Sequence, residues 1–246
     1  MMPDWSLALF FVAISFTYAS VGFGGGSSYL AILAMAGLPF QEIRLTALIC
    51  NIIVVSGGTF IFFQNKQLDA RKILPLVLIS VPAAFLGAKM RISQETFFML
   101  LGISLLAASV LLWFQPQRPE SESIAAPKPV RDGFLGGSIG LLSGMVGIGG
   151  GIFLSPVLHF FRWDTARKIA ATASVFILVN SVSGIAGQLA HLPANLHWTR
   201  IALLGGAVLI GGQAGSRISL SFFNPLLIRR LTAVLVFVAG VEVLTK

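Results

Sequence analysis

An all-α integral membrane protein with two homologous halves is the fold class that this sequence predicts. Hydrophobic residues make up 56% of the 246 residues and charged residues only 11%, which leaves too little polar surface to cover a soluble domain of this size. Apolar runs long enough to cross a bilayer recur along the chain. A glycine-rich cluster occurs twice, the second copy 125 residues after the first, so the apolar runs fall into two similar sets.

We expect about eight membrane-spanning helices and two re-entrant half-helices. Two apolar segments, 27–38 and 152–161, are too short to span, because at ~1.5 Å per residue they cover about 15–18 Å, half of a bilayer. Each follows a glycine cluster, where a helix can break and restart. The alternative is one long helix with a sharp kink. The expected spans lie within residues 5–23, 45–63, 73–90, 97–114, 133–148, 169–190, 201–218 and 231–244.

The repeat extends beyond the glycine clusters. After each cluster a Thr-Ala pair, a Ser-Gly pair and a glycine followed by a basic residue recur in the same order, and this shared order indicates duplication. A stretch rich in proline and charge separates the two copies. We therefore predict an N-terminal membrane repeat at 1–114, a linker at 115–132 and a C-terminal membrane repeat at 133–246. The matched segments are Thr46-Ala47 with Thr172-Ala173, Ser56-Gly57 with Ser183-Gly184, and Gly87-Ala88-Lys89 with Gly215-Ser216-Arg217.

The placement of charge favours inverted halves. If each glycine cluster lies in a hairpin that returns to the face where it started, twelve Lys and Arg share the face of the linker and five lie on the other. If each half instead has only four spans and both halves point the same way, the Lys and Arg residues divide about nine to eight between the two membrane faces. The uneven division fits the positive-inside rule and places the linker in the cytoplasm, with both termini outside the plasma membrane. Asp4 precedes the first apolar run, and no Lys or Arg does. A signal peptide needs positive charge at this place, so we expect the run to be a membrane segment rather than a cleaved signal.

The residues offer little for catalysis or for nucleotide binding. The three histidines have no metal-ligand spacing, and the chain has no serine nucleophile motif and only one cysteine. The glycine clusters do not complete a dinucleotide-binding motif, because Ser27 and Ile152 stand where the third glycine is needed. The 17 Lys and Arg are scattered among short segments between apolar runs, which argues against nucleic acid as a partner. We expect a protein that is not an enzyme and needs no cofactor.

The glycine clusters are suited to anion binding through the backbone, without a buried cation. A half-helix that starts after such a cluster presents unpaired N–H groups and the positive end of its dipole, and glycine lets a ligand oxygen approach. Two such ends that meet near the membrane midplane would hold a small tetrahedral or carboxylate-like anion. For the two asparagines the alternative is hydrogen bonding between helices. The candidate substrate-binding residues are Gly24, Gly25, Gly26, Ser27, Ser28, Asn51, Gly149, Gly150, Gly151 and Asn180.

Other glycines recur at four-residue spacing, and we expect them to pack helices closely. Such glycine-rich faces are also compatible with a homodimer. These residues are Gly133, Gly136, Gly137, Gly140, Gly144, Gly211 and Gly215.

The second cluster and the residues after it resemble a known family. The segment Gly147-Ile148-Gly149-Gly150-Gly151-Ile152-Phe153-Leu154-Ser155-Pro156, with its weaker copy from Gly22 onward, is similar to the sulfite exporter TauE/SafE family, also called the 4-toluene sulfonate uptake permease family. The similarity covers nearly the whole chain. It implies secondary transport of sulfite, sulfonates or related organosulfur anions across the plasma membrane. Pro156 aligns with Ala31 in the first copy, so we expect the first half-helix to be less distorted.

Our expectation is a secondary transporter, an exporter, of a small sulfur-containing anion. An ion gradient or the membrane potential would drive it, because the sequence has no nucleotide motif. One alternative is an anion channel of the same fold, since Glu42, Glu95 and Glu242 all lie near segment ends and none is an evident proton carrier. The other is a non-transporting membrane subunit that anchors an enzyme, for which a linker of about 18 residues offers little surface.

Overall fold

The computed structural model describes residues 3–20, 24–116, 124–126, 128–189, 192, 196–217 and 225–245. Within these residues it contains ten α-helices and no β-strand, which confirms the predicted all-α class. In chain order the helices are α1 (Asp4–Ser20), α2 (Gly26–Met35), α3 (Phe40–Gln64), α4 (Ala70–Lys89), α5 (Gln94–Phe114), α6 (Pro129–Val146), α7 (Gly151–Phe160), α8 (Ala166–Gln188), α9 (Trp198–Arg217) and α10 (Pro225–Thr245).

Large apolar side chains cover the outside of the helical bundle. Phe63, Leu78 and Phe114 are each more than 60% exposed, and a soluble protein rarely exposes so many large apolar groups. Among the described residues, four helices, α3, α4, α5 and α8, are long and apolar enough to cross a membrane. The protein is therefore membrane-embedded, while the predicted number of about eight spans stays a prediction.

Ion pairs at the helix ends show how the long helices run past one another. Near the start of α9, Arg200 Nη1 lies 3.0 Å from Oε1 of Glu42 in the first turn of α3. Near the start of α4, which follows the end of α3 after a short turn, Lys72 Nζ lies 2.7 Å from Oδ2 of Asp164, just before α8. Since α8 starts where α3 ends, these two packed helices are antiparallel. We call the two ends of the bundle the Glu42 end and the Asp164 end.

The two short helices approach each other from opposite ends. Helices α2 and α7 have ten residues each, or about 15 Å, as the sequence predicted. Helix α2 ends close to the start of α3, at the Glu42 end, whereas α7 ends close to Asp164. Their N-termini, at Gly26 and Gly151, therefore both lie inside the bundle. Each short helix turns back toward the end where the preceding long helix began.

The helix contacts of the two halves correspond to one another. Helix α4 packs on α6 as α9 packs on α1, and α4 packs on α8 as α9 packs on α3. Helices α2 and α10 pack together as α7 and α5 do. Because these contacts join helices of opposite halves, the two predicted repeats form one interleaved bundle rather than two separate bodies. Helix α6 already begins at Pro129, inside the segment that the sequence assigned to the linker.

Glycines at four-residue spacing allow the closest helix contacts. A Cβ at Gly144 would touch the carbonyl oxygen of Ala84 in α4, and one at Gly140 would lie 2.6 Å from the carbonyl oxygen of Ser80. Similar contacts with helices of the same chain surround Gly133, Gly136, Gly137, Gly211 and Gly215. These glycines pack helices, as the sequence predicted.

Candidate substrate-binding site

The two glycine clusters meet around the side chain of Asn51. This residue lies in the middle of α3, and its Nδ2 donates a hydrogen bond to the carbonyl oxygen of Ile148 over 3.0 Å. A Cβ added to Gly24 would lie 2.7 Å from Asn51 Oδ1, and one added to Gly149 would lie 2.7 Å from Nδ2. Glycine is needed at these positions because any side chain would displace the Asn51 amide. The fold thus brings together cluster residues from both halves.

Left-handed glycines start both short helices. Gly25 (φ 81°) precedes α2 and Gly150 (φ 84°) precedes α7, and no side chain caps either helix. Within the described residues, no hydrogen-bond acceptor is found for the N–H groups of Gly26 and Ser27 in the first turn of α2. Helix dipoles add partial positive charge at the same place. The start of α2 therefore presents unpaired N–H groups and partial positive charge.

A small cavity lies where the two helix starts meet. Its volume is about 20 Å³, enough for about one water molecule. Ser27 Oγ and Asn51 Oδ1 are buried in its wall without a hydrogen-bond partner among the described residues. Because an unpaired buried polar group costs about 1–3 kcal/mol, such atoms indicate a place for water or a polar ligand. The cavity is lined by Tyr18, Gly24, Gly25, Gly26, Ser27, Asn51, Ile148, Gly151, Ile152 and Ile177.

Four of the residues singled out from the sequence, Ser28, Gly149, Gly150 and Asn180, lie outside this cavity wall. The Ser28 hydroxyl shares a hydrogen bond with the Tyr18 hydroxyl at 2.7 Å. A Cβ at Gly150 would lie 2.7 Å from the ring of Phe176, so this glycine faces α8. Asn180 is buried, and neither atom of its amide has a partner in the described part of the chain. The unpaired polar side-chain atoms of the cavity wall, among the described residues, therefore belong to Ser27 and Asn51.

The counterpart of Asn51 in the second half is Ile177, not Asn180. A Cβ at Gly26 would touch Asn51 Nδ2, and a Cβ at the equivalent Gly151 would touch Ile177 Cδ1. The matched Thr-Ala pairs also align Asn51 with Ile177, a signal that the sequence contained. Four cavity residues are missing from the sequence-based set: Tyr18, Ile148, Ile152 and Ile177.

A buried arginine lies beside the second glycine cluster, outside the set of residues that line the cavity. Arg44 is only 4% exposed, and its Nη2 donates to the carbonyl oxygens of Gly144 at 2.8 Å and Ala88 at 3.3 Å. These oxygens belong to the last turns of α6 and α4, where the helix dipole is negative. A Cβ at Gly147 would lie 3.2 Å from Arg44 Cβ. Arg44 therefore joins the ends of two helices next to the α6–α7 break.

Buried carboxylates occur at both ends of the bundle. Glu42 pairs with Arg200, and Asp164 pairs with Lys72. Asp132 accepts hydrogen bonds from Arg131 Nη2 at 2.8 Å and from Trp163 Nε1 at 3.0 Å. These paired carboxylates close the two ends of the bundle rather than lining the cavity. Among the described residues, no group of three or more His, Cys, Asp or Glu could hold a metal ion.

Short helices that meet inside an apolar bundle, around a cavity with unpaired polar groups, are typical of membrane transporters. The chain belongs to the sulfite exporter TauE/SafE family, whose model matches residues 7–243.

Relatives along nearly the whole chain carry transporter names. The chain is 33% identical over 244 residues to "Probable membrane transporter protein y4hK" of Sinorhizobium fredii, with 97% of each chain covered. It is 25% identical over 242 residues to a "Probable membrane transporter protein" of Haemophilus influenzae, covering 89% of this chain and 87% of the relative. No solved structure matches the chain significantly.

Proposed function

We propose that this protein is a secondary transporter that exports small sulfur-containing anions, such as sulfite or organosulfonates, across the plasma membrane. The observation that carries this proposal is the convergence of two helix starts on one buried cavity, where Ser27 Oγ and Asn51 Oδ1 have no partner among the described residues. Membership of the sulfite exporter family supports both transport and the sulfur chemistry of the substrate. The bilayer surrounds the bundle, and a homodimer stays a prediction.

The two halves of this transporter are inverted repeats. The antiparallel packing of α3 and α8, which hold equivalent places in the repeat, supports this arrangement. Corresponding contacts, such as α4 with α6 and α9 with α1, also support it. In this scheme eight helices span the membrane, and α2 and α7 are re-entrant half-helices.

The Asp164 end of the bundle faces the cytoplasm. Following the helix directions, four described Lys and Arg lie toward the Glu42 end and eleven toward the Asp164 end, and the positive-inside rule assigns the richer end to the cytoplasm. The four are Arg44, Lys89, Arg91 and Arg200, and the eleven are Lys66, Arg71, Lys72, Lys128, Arg131, Arg162, Arg167, Lys168, Arg217, Arg229 and Arg230. Arg118 and Lys246 lie outside the described residues.

Transport proceeds by opening one end of the bundle at a time. A cavity of about 20 Å³ is too small for a sulfur oxyanion, so the helices around it must separate before the substrate enters. The substrate oxygens then accept hydrogen bonds from the first-turn N–H groups of α2 and from the Ser27 hydroxyl. Opening at the Glu42 end breaks the pair between Glu42 and Arg200, and opening at the Asp164 end breaks the pair between Asp164 and Lys72.

A passive anion channel of the same fold is the second candidate. It is favoured by the observation that the buried carboxylates Glu42, Asp132 and Asp164 are all paired, so none of the three is free to carry a coupled proton.

Flux in proteoliposomes distinguishes the two candidates. The purified protein is reconstituted with sulfite or an alkanesulfonate inside, and efflux is measured with and without a pH or voltage gradient. A transporter gives flux that saturates, needs no ATP and exchanges internal for external anion. Flux that stays linear with concentration indicates the channel. The matched controls are empty liposomes and Gly58→Ala, since a Cβ at Gly58 meets nothing within 4 Å.

A further inference from the structure

Arg44 is a buried cation for which no ion pair is found among the described residues. Its hydrogen bonds go to the carbonyl oxygens of Gly144 and Ala88, and its Nε has no partner in the described part of the chain. The carboxylate closest in sequence, Glu42, pairs with Arg200 instead. Helix ends supply only partial negative charge. A buried guanidinium is stabilised much better by an anion, so this place is suited to an anionic ligand.

Helices α3 and α8 face each other in antiparallel register between the cavity and the Glu42 end. At the cavity, a Cβ on Gly149 would lie 2.7 Å from Asn51 Nδ2 and 3.1 Å from Ser181 Oγ, so these two side chains are neighbours. One turn closer to the Glu42 end, a Cβ on Gly184 would lie 3.1 Å from Leu48 Cδ1. The two helices therefore advance together from the cavity toward the Glu42 end.

One further turn along each helix brings Arg44 level with Gln188. The contacts of α4 agree, because a Cβ on Gly187 would lie 2.8 Å from Cβ of Ala88, whose carbonyl oxygen accepts a hydrogen bond from Arg44. Gln188 is buried, and its Nε2 has no partner among the described residues. At ~1.5 Å per residue, this level lies about 10 Å along α3 from Asn51. A guanidinium and an unpaired amide therefore lie at one level, outside the cavity.

Unpaired polar atoms recur on both helices from the cavity to this level. Those that are buried without a hydrogen-bond partner among the described residues are Asn51 Oδ1, Ser181 Oγ, Gln188 Nε2 and Arg44 Nε. No hydrogen bond joins residues 44–51 of α3 to residues 181–188 of α8, two stretches that the structure describes in full. On its other side α8 is tied to α4, because the Ser183 hydroxyl donates to the carbonyl oxygen of Val81 over 2.6 Å. Separation of α3 from α8 along these stretches therefore breaks no hydrogen bond and makes the unpaired groups accessible.

We propose that Arg44 and Gln188 form an outer oxyanion-binding site, which a small oxyanion occupies between the cavity and the Glu42 end when α3 and α8 separate. This proposal rests on the proposed function, because the ligand is the transported anion. Arg44 supplies a full positive charge, whereas the helix starts at the cavity supply partial charges, and Gln188 adds an amide donor. Leu48, packed on Gly184, closes the path between the two sites in the structure.

Thiol labelling of Gln188→Cys in a Cys50→Ala background tests the outer site. Two methanethiosulfonate reagents of similar size, one with a sulfonate and one with a trimethylammonium group, are added to vesicles on the side from which Gln94→Cys reacts. Gln94 is exposed at the same end of the bundle. Relative to the cationic reagent, we expect the anionic reagent to be favoured about tenfold more at Gln188→Cys than at Gln94→Cys or with a free thiol in solution. Methanesulfonate or sulfate should slow the labelling of Gln188→Cys and leave Gln94→Cys unchanged.

Substitution of Arg44 in the Gln188→Cys background links the preference to its charge. Arg44→Lys keeps a cation and should keep the preference for the anionic reagent, whereas Arg44→Met should remove it. An arginine that only joins helix ends would change labelling by the two reagents in parallel. Melting temperatures are recorded for both variants, and if Arg44→Met does not fold, the reagent preference and the protection of Gln188→Cys itself decide the question.

The labelling and flux measurements separate this proposal from the proposed function. A Gln188→Cys thiol without preference for the anionic reagent, or without protection by either anion, overturns the outer site whether or not flux is observed. If an anion protects Gln188→Cys but the wild-type protein transports no anion, the proposed function fails, while an anion site at Arg44 remains.

Discussion

The amide of Asn51 donates a hydrogen bond to the carbonyl oxygen of Ile148 over 3.0 Å, and this contact joins the middle of α3 to the break between α6 and α7. The bond links the two halves of the chain at the cavity. It also orients the amide, so that Oδ1 faces Gly24 and has no partner among the described residues. A single side chain therefore connects the helix break in the second half to the polar cavity wall in the first.

The two buried asparagines should respond differently to the same substitution. Asn51→Leu removes the donor to Ile148 and leaves a buried carbonyl unpaired, so we expect a loss of about 1–3 kcal/mol in stability and little transport. Asn180→Leu removes an amide that already has no partner in the described residues, so stability should stay equal or rise. Melting temperature and flux per folded molecule check both. Loss of transport in a stable Asn180→Leu variant would instead place Asn180 on the substrate path.

Substitution of Gly26 tests the glycine cluster without the positive-φ strain that substitution of Gly25 or Gly150 brings. The sequence alone predicts that Gly25→Ala and Gly150→Ala fold normally and transport poorly. Both glycines have φ near 80°, however, so an alanine there adds backbone strain of about 1–2 kcal/mol. In Gly26→Ala the new methyl group would touch Asn51 and the carbonyl oxygen of Ile148 at the cavity, without the strain of a positive φ, so the melting temperature is recorded beside binding. We expect binding at least tenfold weaker than in the Gly58→Ala control, measured by competition in flux assays. Wild-type affinity in Gly26→Ala would mean that the anion binds elsewhere.

The glycines between α6 and α4 should matter for stability alone. Gly144→Ala brings a methyl group against the backbone of Ala84, which a side-chain rotation cannot relieve, so we expect a loss of about 1–3 kcal/mol. Gly206→Ala is the matched control, because a Cβ there meets nothing within 4 Å. Yield and melting temperature in detergent are the measurements. Equal melting temperatures for the two variants would contradict close packing of α4 on α6.

The sequence predicted the helical class, the two short helices and the glycines that pack helices, because each depends on local composition and spacing. It did not predict that α4 packs on α6 and α1 on α9, since such long-range pairing leaves no local pattern. Asn51 and Asn180 both entered the candidate set because each is a polar residue in the apolar segment that follows a glycine cluster. The repeat spacing, however, lengthens by one residue between the clusters and the Thr-Ala pairs, which aligns Asn51 with Ile177. The burial of Arg44 was missed because its acceptors are carbonyls of distant helix ends.

Membrane orientation can be checked with single cysteines in a Cys50→Ala background. Gln67 lies at the Asp164 end, where α3 ends, and Gln94 lies at the Glu42 end, where α5 begins. We expect an impermeant thiol reagent added to intact cells to label Gln94→Cys. The same reagent should label Gln67→Cys only after the cells are permeabilised. The opposite labelling pattern would reverse the orientation given by the charge distribution.

The ion pair at the Asp164 end should control access to the cavity from the cytoplasm. Lys72 Nζ lies 2.7 Å from Asp164, whose side chain is 1% exposed, and the other cation nearby, Lys168, lies 3.8 Å away. Lys72→Met keeps a long unbranched side chain and removes the closer charge. Because a nearly buried carboxylate then loses its main partner, the closed arrangement of this end loses stability relative to the open one.

Cysteine labelling from each side measures this change. Ser27→Cys in a Cys50→Ala background places a thiol in the cavity wall, and inside-out and right-side-out vesicles expose it to an impermeant reagent from one side at a time. With Lys72→Met we expect labelling from the cytoplasmic side to rise about tenfold, which corresponds to about 1.4 kcal/mol, and labelling from the outside not to rise. Glu42→Gln is the matched variant for the other end, because Glu42 pairs with Arg200 there, and it should raise labelling from the outside. If both variants raise labelling equally from both sides, the pairs stabilise the bundle as a whole and do not act as separate gates.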